Sequence, residues 1–176
     1  MTKLIIMCAI QGGGKSTYVK NNFTDYVIVC PDDIRVELLV QRPEHKEKIE
    51  GELIDLLYIQ EDRVWAIAKE RTISNLKNNK SVVFDATNLN RRARKQYFKW
   101  VEGMDVQVVA VFMDTSLEKA LERNGNRGQA VTGYNAEGKP ILGRMVPEDV
   151  IIQKFEQIMP PSIEEGFSEV VVIRSM

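Results

Sequence analysis

The residues best suited to chemistry in this chain lie after its first apolar run, where three glycines precede a Lys-Ser pair. Consecutive glycines let backbone N–H groups turn toward phosphate oxygens, lysine supplies a positive charge, and a serine hydroxyl can bind Mg²⁺. The helix predicted at residues 15–22 adds the positive end of its dipole. The segment therefore predicts a phosphate-binding loop, or P-loop, whose nucleotide-binding residues are Gln11, Gly12, Gly13, Gly14, Lys15, Ser16 and Thr17.

One position departs from the usual G-x-x-x-x-G-K-[ST] pattern, because Ala9 stands where the first glycine is expected. Glycine at that place is usually explained by a backbone conformation that a Cβ disfavours. Ala9 therefore either adopts an allowed conformation or carries modest strain. The alternative is a glycine-rich turn that binds no ligand, but strand, glycines, Lys-Ser pair and helix occur in the required order. This order favours a nucleoside triphosphate as the ligand.

Two polar residues follow the apolar run that predicts the second strand. Ligands of parallel sheets bind beyond the carboxyl ends of the strands, so polar residues at these points are candidates for chemistry. Asp32 could accept the proton of an attacking hydroxyl, and Arg35, one helical turn later, could bind an acceptor phosphate. As an alternative, Asp32 or Asp33 could simply cap the helix.

The third apolar run is followed by Asp85-Ala86-Thr87-Asn88. Asp85 is placed like the aspartate that organises Mg²⁺ in P-loop proteins. Thr87 and Asn88 could donate hydrogen bonds to a substrate or orient their neighbours. A basic run comes next, and it would suit a phosphodiester chain, although a charged run on a helix is as often a solvated face. Its members are Arg91, Arg92, Arg94, Lys95 and Lys99.

Arg123 and Arg127 form the third group of candidate residues beyond the P-loop. Residues four apart project from one face of a helix, provided that the helix persists through Gly125. Arginines there could stabilise the charge that develops on a transferring phosphoryl group. The segment that follows is rich in glycine and lacks periodicity, which predicts a lid at about residues 125–146, over the phosphate site. The alternative is a solvated surface loop or hairpin.

The elements that position these residues follow from the apolar pattern. Short runs apolar throughout, separated by helical stretches, indicate strands buried on both faces of a parallel sheet. Strands are predicted at residues 4–8, 26–30, 81–84, 106–113 and 170–173, and helices at 15–22, within 49–76, and at 91–102, 116–124 and 147–159. Ser116 is the predicted N-cap of its helix and Pro147 a first helical residue. The fold class is α/β, a three-layer sandwich.

Length and composition bound the remaining possibilities. A chain of 176 residues predicts a single domain, residues 1–176, and a net charge of -1 argues against a uniformly basic surface, so nucleic acid would contact a local patch. Cys8 and Cys30 lack metal-ligand spacing, which predicts buried free thiols in a reducing compartment. No apolar stretch is long enough to cross a membrane, and the short N-terminal run leads into the P-loop rather than a cleavage site. The expected location is cytoplasmic, without membrane contact.

The motifs, taken together, resemble a known family. Four occur in order: the glycine-rich Lys15-Ser16 loop, the D-x-x-R of Asp32 and Arg35, Asp85-Ala86-Thr87-Asn88, and R-N-x-N-R at Arg123 to Arg127. This set resembles the 5′-hydroxyl polynucleotide kinase module of a bacteriophage kinase/phosphatase and of bacterial end-healing enzymes. The stretches 146–150 and 165–167 also resemble this group and the wider set of small P-loop kinases, so that the resemblance extends over about residues 3–173.

The resemblance implies a fold and a reaction. The fold is a P-loop sandwich with a five-stranded parallel sheet in the order 2-3-1-4-5. The reaction transfers the γ-phosphate of ATP, with Mg²⁺, to the 5′-OH end of DNA or RNA as the nucleic-acid partner. Lys15 and Ser16 match the phosphate and Mg²⁺ ligands, and Asp32 the general base. Arg35 matches the acceptor contact, with Thr87 and Asn88 beside it, and Arg123 and Arg127 match the lid arginines.

The chain departs from the family pattern at three points. Asp85 matches the bacterial modules, whereas in the phage enzyme the aspartate stands one place later, where this chain has Ala86; we expect Asp85 to be catalytic and a metal ligand with Ser16. The stretch 129–145 is longer than the family's lid. No D-x-D-G-[ST] phosphatase motif occurs, which predicts a kinase without that second activity.

Two other functions remain open at this stage. The first is a kinase of a small acceptor, such as a nucleoside, sugar or antibiotic, because related P-loop kinases use a similar frame. The second is a nucleotide-binding switch or ATPase that controls a partner protein.

Overall fold

The central element of the fold is a five-stranded parallel sheet. The computed structural model describes residues 1–41, 58–127, 133–134, 140–141 and 145–174. The strands are β1 Thr2–Cys8, β2 Val27–Val29, β3 Val82–Phe84, β4 Val106–Asp114 and β7 Glu169–Arg174. Their order across the sheet is β2-β3-β1-β4-β7, and every neighbouring pair is parallel. Counted along the chain, these five strands have the order 2-3-1-4-5, so the predicted topology is confirmed.

The register of the sheet brings the ends of three strands together. β1 lies in the middle, and its residues 4–8 are all buried because helices cover both faces of the sheet. Ile6 of β1 and Val29 of β2 are both in register with Phe84 of β3. The loops that follow β1, β2 and β3 therefore leave the sheet at the same edge, where the P-loop, Asp32 and Asp85 begin.

Six helices flank the sheet in the described part of the chain: α1 Lys15–Asn22, α2 Pro31–Val40, α3 Glu61–Lys77, α4 Arg91–Trp100, α5 Leu117–Gly125 and α6 Glu148–Glu156. A short 3₁₀ turn, Ile163–Glu165, precedes β7. The Ser116 hydroxyl accepts a hydrogen bond from the Lys119 N–H, 3.3 Å away, which confirms Ser116 as an N-cap. The prediction for Pro147 is wrong by one residue: its ψ of 139° is extended, so it is the N-cap and the helix begins at Glu148.

Apolar packing on one face of the sheet fixes α3 and α4. Phe84 of β3 lies at the centre of an aromatic group, with ring centroids 4.8 Å from Tyr97, 5.5 Å from Trp100 and 5.9 Å from Trp65. Tyr97 is completely buried. Because α4 is held by these rings, its opposite side faces solvent.

The predicted lid is described only in part. Gly133–Tyr134 (β5) pairs antiparallel with Pro140–Ile141 (β6), so the backbone forms a short two-stranded pair within the stretch 125–146. The rest of the prediction, at 128–132, 135–139 and 142–144, lies outside the described residues. The part of the predicted helix 49–76 that precedes residue 58 lies outside them as well. Within the described ranges no helix is both long and apolar enough to span a membrane.

Candidate active site

The P-loop has the backbone conformation that phosphate binding requires. Gly12 and Gly14 have φ values of 82° and 84°, in the left-handed region where side chains are strained. Gly14 is the N-cap of α1 and no side chain caps this end of the helix. The first N–H groups of α1 therefore remain available to an anion, with the positive end of the helix dipole behind them.

Ala9 fits the loop without strain. It is absent from the residues with positive φ in the described chain, among which the only non-glycines are Asn79 and Asn88. Its side chain is fully buried, and its N–H donates to the carbonyl of Thr87 at 2.9 Å. Of the two possibilities for this position, the allowed conformation is the one observed. The missing glycine therefore places no strain on the loop.

Two contacts that the sequence did not reveal hold the P-loop against the end of β4 and against α5. A Cβ on Gly12 would lie 2.2 Å from the carbonyl oxygen of Ala120, so the backbone of the loop touches the backbone of α5. The Thr115 hydroxyl, buried at the end of β4, donates to the Gly13 carbonyl at 3.2 Å. A motif search cannot find these residues, because their sequence neighbourhood carries no nucleotide-binding pattern.

Lys15 and Asp85 form an ion pair across the site, with their side chains 16% and 8% exposed. The N–H of Asp85 donates to the Val29 carbonyl at 2.9 Å, which fixes the carboxylate at the sheet edge. Among the described residues no group of three or more His, Cys, Asp or Glu could hold a metal ion. Mg²⁺ usually binds one or two carboxylates together with substrate phosphates and water. Asp85 and the Ser16 hydroxyl fit that kind of ligand set.

Asn88 differs from its prediction as an acceptor contact. It is only 4% exposed, and its amide nitrogen donates to the Met7 carbonyl at 2.8 Å. Its amide oxygen accepts a 2.6 Å hydrogen bond from the Tyr97 hydroxyl. Both ends of the amide are thus used inside the protein, and the φ of 47° is one that asparagine tolerates better than most residues. We therefore propose that Asn88 shapes the loop after β3 and leaves acceptor binding to Thr87.

Asp32 and Arg35 lie together on the first turn of α2. Arg35 donates to Asp32 through Nη1 at 2.6 Å, and to both carboxylate oxygens of Glu61 at 2.6 and 2.8 Å. Its guanidinium also lies 5.0 Å from the ring centre of Tyr58. The Arg35 side chain is 12% exposed and that of Asp32 43% exposed, so the carboxylate is the accessible member of the pair. The cap of this helix is Cys30, so the capping alternative for Asp32 and Asp33 is wrong.

Glu61 is the residue in this group that the sequence did not indicate. It also accepts a 3.3 Å hydrogen bond from the Trp65 indole N–H. The hydrogen bonds from Arg35 lower the pKa of Glu61. Burial opposes the charge of Arg35, but Glu61 and Asp32 outweigh burial and raise the pKa of Arg35. Both groups therefore stay charged, and Arg35 holds Asp32 in one orientation.

Arg123 lies in the last turn of α5, beside the P-loop, and Arg127 lies just beyond the end of that helix. A Cβ on Gly14 would lie 3.3 Å from Nη1 of Arg123, so this guanidinium reaches the loop. The helix ends at Gly125, and the N–H of Arg127 donates to the Asn124 carbonyl at 3.0 Å, which extends the last turn. Between them, buried Asn124 exchanges two hydrogen bonds with the backbone of Val146, at 2.8 and 3.0 Å. These bonds join the two ends of the segment that is predicted to be a lid.

Lys154 on α6 is a further cation near the site. Ile151, one turn earlier, is fully buried in a cluster with Ile10 of the P-loop and Leu89 of the loop after β3, which seats α6 at this edge. Burial lowers the pKa of Lys154, and the charge of Asp32 opposes that shift. The ammonium thus lies within electrostatic reach of the Asp32 carboxylate.

The two cysteines are buried free thiols, as predicted. Burial raises the pKa of Cys30 to about 11, and the neighbouring Asp85 acts in the same direction. Burial likewise raises the pKa of Cys8 to about 12, although Arg94 opposes the change. Neither thiol is therefore poised to act as a nucleophile.

A P-loop after the central strand, an aspartate after its neighbour and this strand order define a protein of the P-loop kinase fold. A family model described as an AAA domain matches residues 4–138. The chain belongs to this family of nucleotide-binding P-loop domains.

Individual relatives are consistent with this class. A protein of Autographa californica nuclear polyhedrosis virus, named a bifunctional polynucleotide kinase/RNA ligase, is 29% identical over 126 residues, which are 71% of this chain and 18% of the viral one. A chain from a Pnkp1/Rnl/Hen1 RNA repair complex is 23% identical with a TM-score of 0.58, over 89% of this chain and 43% of that one. A gluconokinase of Sinorhizobium meliloti has a TM-score of 0.55 and 17% identity over 98% and 82% of the two chains. This chain therefore spans less than half of the first two relatives.

Proposed function

We propose that this protein is an ATP- and Mg²⁺-dependent kinase that phosphorylates the 5′-hydroxyl end of a polynucleotide. The observation that carries the proposal is the orientation of Asp32 by Arg35 at the same sheet edge as the P-loop, which gives the site a base beside its phosphate donor. The viral relative and the RNA repair complex support a polynucleotide as the acceptor. The gluconokinase shares the fold alone and favours no acceptor.

The proposed reaction uses residues on both sides of the P-loop. The oxygen of the 5′-hydroxyl bonds to the γ-phosphorus while Asp32 accepts the hydroxyl proton. The bond between the γ-phosphorus and the β,γ-bridging oxygen breaks, and ADP leaves. Arg35 positions Asp32, and the N–H groups that it does not donate to Asp32 and Glu61 would bind the acceptor phosphate. Lys154 adds positive charge on this side.

Donor binding falls to the P-loop N–H groups, to Lys15, to Arg123 in the last turn of α5 and to Arg127 just after that helix. When ATP binds, Lys15 leaves its ion pair with Asp85 and contacts the β- and γ-phosphates. Arg123 and Arg127 stabilise the negative charge on the phosphoryl group that is transferred. Ser16 and Asp85 would hold Mg²⁺, which neutralises phosphate charge when it is bound. These assignments explain why a buried carboxylate lies opposite a P-loop lysine.

The deciding experiment is transfer from labelled ATP to a 5′-OH oligonucleotide, run beside a panel of nucleosides, sugars and aminoglycosides. We expect label on the oligonucleotide, and a matched 5′-phosphorylated oligonucleotide should accept none. Label on a small molecule alone would replace this proposal by the small-acceptor kinase. Hydrolysis of ATP that no acceptor accelerates would instead favour the switch or ATPase.

The Asp32→Asn variant tests the role of the base. Transfer should fall by about a hundredfold or more, because a positioned general base contributes about 10²–10⁴-fold. ATP binding should be retained, because the proposal assigns Asp32 to the acceptor and the P-loop to the donor. A variant that loses ATP binding together with transfer would contradict this assignment.

A further inference from the structure

The exposed side of α4 carries an uninterrupted basic surface. Of its ten residues, RRARKQYFKW, none is acidic. We define the α4 basic stripe as its four exposed cationic residues, namely Arg91, Arg92, Lys95 and Lys99. Three of them are spaced i, i+4 and i+8, so they lie along one side of the helix over about 12 Å at 1.5 Å per residue.

The side chains of the stripe have no acidic partners, in contrast to two other arginines of the described chain. Elsewhere Arg71 pairs with Glu37 on the surface, and buried Arg94, on the same helix, pairs with Glu165. Within the part of the chain that the structure describes, no side chain of the stripe forms an ion pair or hydrogen bond. In a chain of net charge -1, this is a concentration of cations that no internal contact explains.

The stripe begins at the active-site edge. The Asn90 side chain caps α4 by accepting from the Ala93 N–H at 3.0 Å, which fixes the start of the helix directly after the loop that contains Asp85 and Thr87. In a parallel sheet the helix that follows a strand runs from the ligand edge toward the opposite edge. The stripe therefore leads away from the loop that is proposed to meet the acceptor end.

We propose that the α4 basic stripe binds the phosphodiester backbone of the acceptor strand beyond its 5′ end. The proposal rests on the proposed function, since it concerns the same polynucleotide at a distance from the reacting hydroxyl. Contacts of this kind bind phosphates irrespective of base and depend strongly on salt. The stripe thus makes a long strand a better acceptor than a short one without changing the chemical step.

The test compares acceptors of two lengths on matched variants. Neutralising the stripe with Arg91→Gln, Lys95→Gln and Lys99→Gln removes three positive charges. A control with Lys69→Gln, Lys77→Gln and Lys80→Gln removes the same charge from exposed positions on α3 and the turn after it. All six side chains are exposed, so both triple variants should fold and melt like the unmodified protein.

For a 20-nucleotide 5′-OH acceptor, the stripe variant should raise KM about tenfold at low salt with kcat unchanged, since exposed ion pairs each contribute modestly. For a 5′-OH dinucleotide its KM should match that of the unmodified protein. The slope of log KM against log salt should fall by about 2, at roughly 0.7 per lost contact with a single strand. An unchanged KM for the 20-mer, or an equal loss with both acceptors, would overturn the proposal.

Direct binding separates failure of the stripe from failure of the proposed reaction. The fluorescence anisotropy of a labelled 20-mer reports binding whether or not phosphate is transferred. Binding that the stripe variant loses and the control variant keeps supports the stripe even if no oligonucleotide is phosphorylated. Equal anisotropy for the stripe variant and the unmodified protein, including no binding by either, would overturn the stripe as a binding surface for the acceptor strand. The stripe would then serve a different partner, such as an acidic protein.

Discussion

Arg94 is the residue whose environment departs furthest from its sequence context. It lies in a basic run whose sequence suits either a phosphodiester surface or a solvated helix face, yet its side chain is only 1% exposed. Its guanidinium binds both oxygens of Glu165 at 2.6 and 2.9 Å and the carbonyls of Asn88 and Met159. For Arg94 both interpretations are therefore wrong. It joins α4 to the 3₁₀ turn before β7.

Arg94→Gln should destabilise the protein strongly. The substitution leaves the buried Glu165 carboxylate without its partner, which typically costs about 3–5 kcal/mol. Urea unfolding followed by circular dichroism measures the change. The matched control is Lys95→Gln, the exposed neighbour, which should change stability by less than about 0.5 kcal/mol. Equal midpoints for the two variants would show that the buried pair contributes nothing.

Glu61 should make stability depend on acid pH. The hydrogen bonds from Arg35 lower the pKa of Glu61 in the folded state below its ordinary value of 4.5. Its contribution is therefore fully present above that value and is lost as the pH falls through the lowered folded-state pKa. The Glu61→Gln variant should therefore be less stable than the unmodified protein. The difference in the free energy of unfolding should be larger at pH 7 than at pH 3.

The control for Glu61 is Glu70→Gln, an exposed position on the same helix. Because Glu70 is exposed, its variant should differ in stability from the unmodified protein by less than about 0.5 kcal/mol at both pH 3 and pH 7. If Glu61→Gln behaves in the same way, the ion pair with Arg35 does not form in solution.

Residue types located the candidate site better than they indicated its contacts. Lys15, Asp32 and Asp85 were selected from the sequence because few residue types suit the proposed roles and because each follows a strand, and the structure brings them to one edge of the sheet. Their roles stay a prediction. Glu61 and Asn124 were missed because their contacts join positions 26 and 22 residues away along the chain. No local pattern encodes such a contact, which exists only when the helices are packed.

Among the elements, strand boundaries were predicted to within about two residues, and the differences follow from pairing. The sequence indicates a strand at 26–30, but β2 is only Val27–Val29 because it pairs with β3 alone, and β3 offers three residues in register. Conversely, β7 is longer than predicted because β4 supplies six consecutive partners, Val109 to Asp114. Apolar periodicity locates a strand, whereas its neighbour determines where it ends.

The junction between the P-loop and α5 yields a prediction at the element scale. Gly12→Ala should lower both ATP affinity and stability, because its φ of 82° is strained for alanine and the new Cβ would lie 2.2 Å from the Ala120 carbonyl oxygen. We expect ATP binding to weaken at least about tenfold, since strain of about 1–3 kcal/mol must be relieved by moving the loop. Isothermal titration calorimetry measures the affinity.

The converse substitution, Ala9→Gly, is the control. It restores the usual P-loop glycine at a position whose φ is not positive. ATP affinity should stay within about threefold, and stability should fall by no more than about 1 kcal/mol from added freedom of the unfolded chain. A large gain in ATP affinity for the Ala9→Gly variant would show that the native alanine strains the loop.

At the scale of the whole molecule, the strand order followed from recognising four motifs together, because composition and periodicity alone allow several parallel topologies. The lid, in contrast, stays a prediction, since most of residues 125–146 lie outside the described ranges. The structure adds that the P-loop is a junction: Ala9 is bonded to the loop after β3, and Gly12 contacts α5. A ligand bound to the P-loop therefore stabilises the contacts of the loop with elements on both sides of β1, namely the loop after β3 and α5.

Nucleotide binding should therefore stabilise the entire sheet. At an ATP·Mg concentration a hundred times its Kd, linkage contributes about 2.7 kcal/mol, which for a chain of this size is a rise in Tm of about 5–10 °C. Differential scanning calorimetry should show one transition that moves as a whole.

Lys15→Ala should abolish the rise, and it should also lower the Tm without nucleotide, because buried Asp85 loses its partner. Asp32→Asn should keep the full rise, because Asp32 belongs to the acceptor side. A rise that survives Lys15→Ala would place the nucleotide somewhere other than the P-loop.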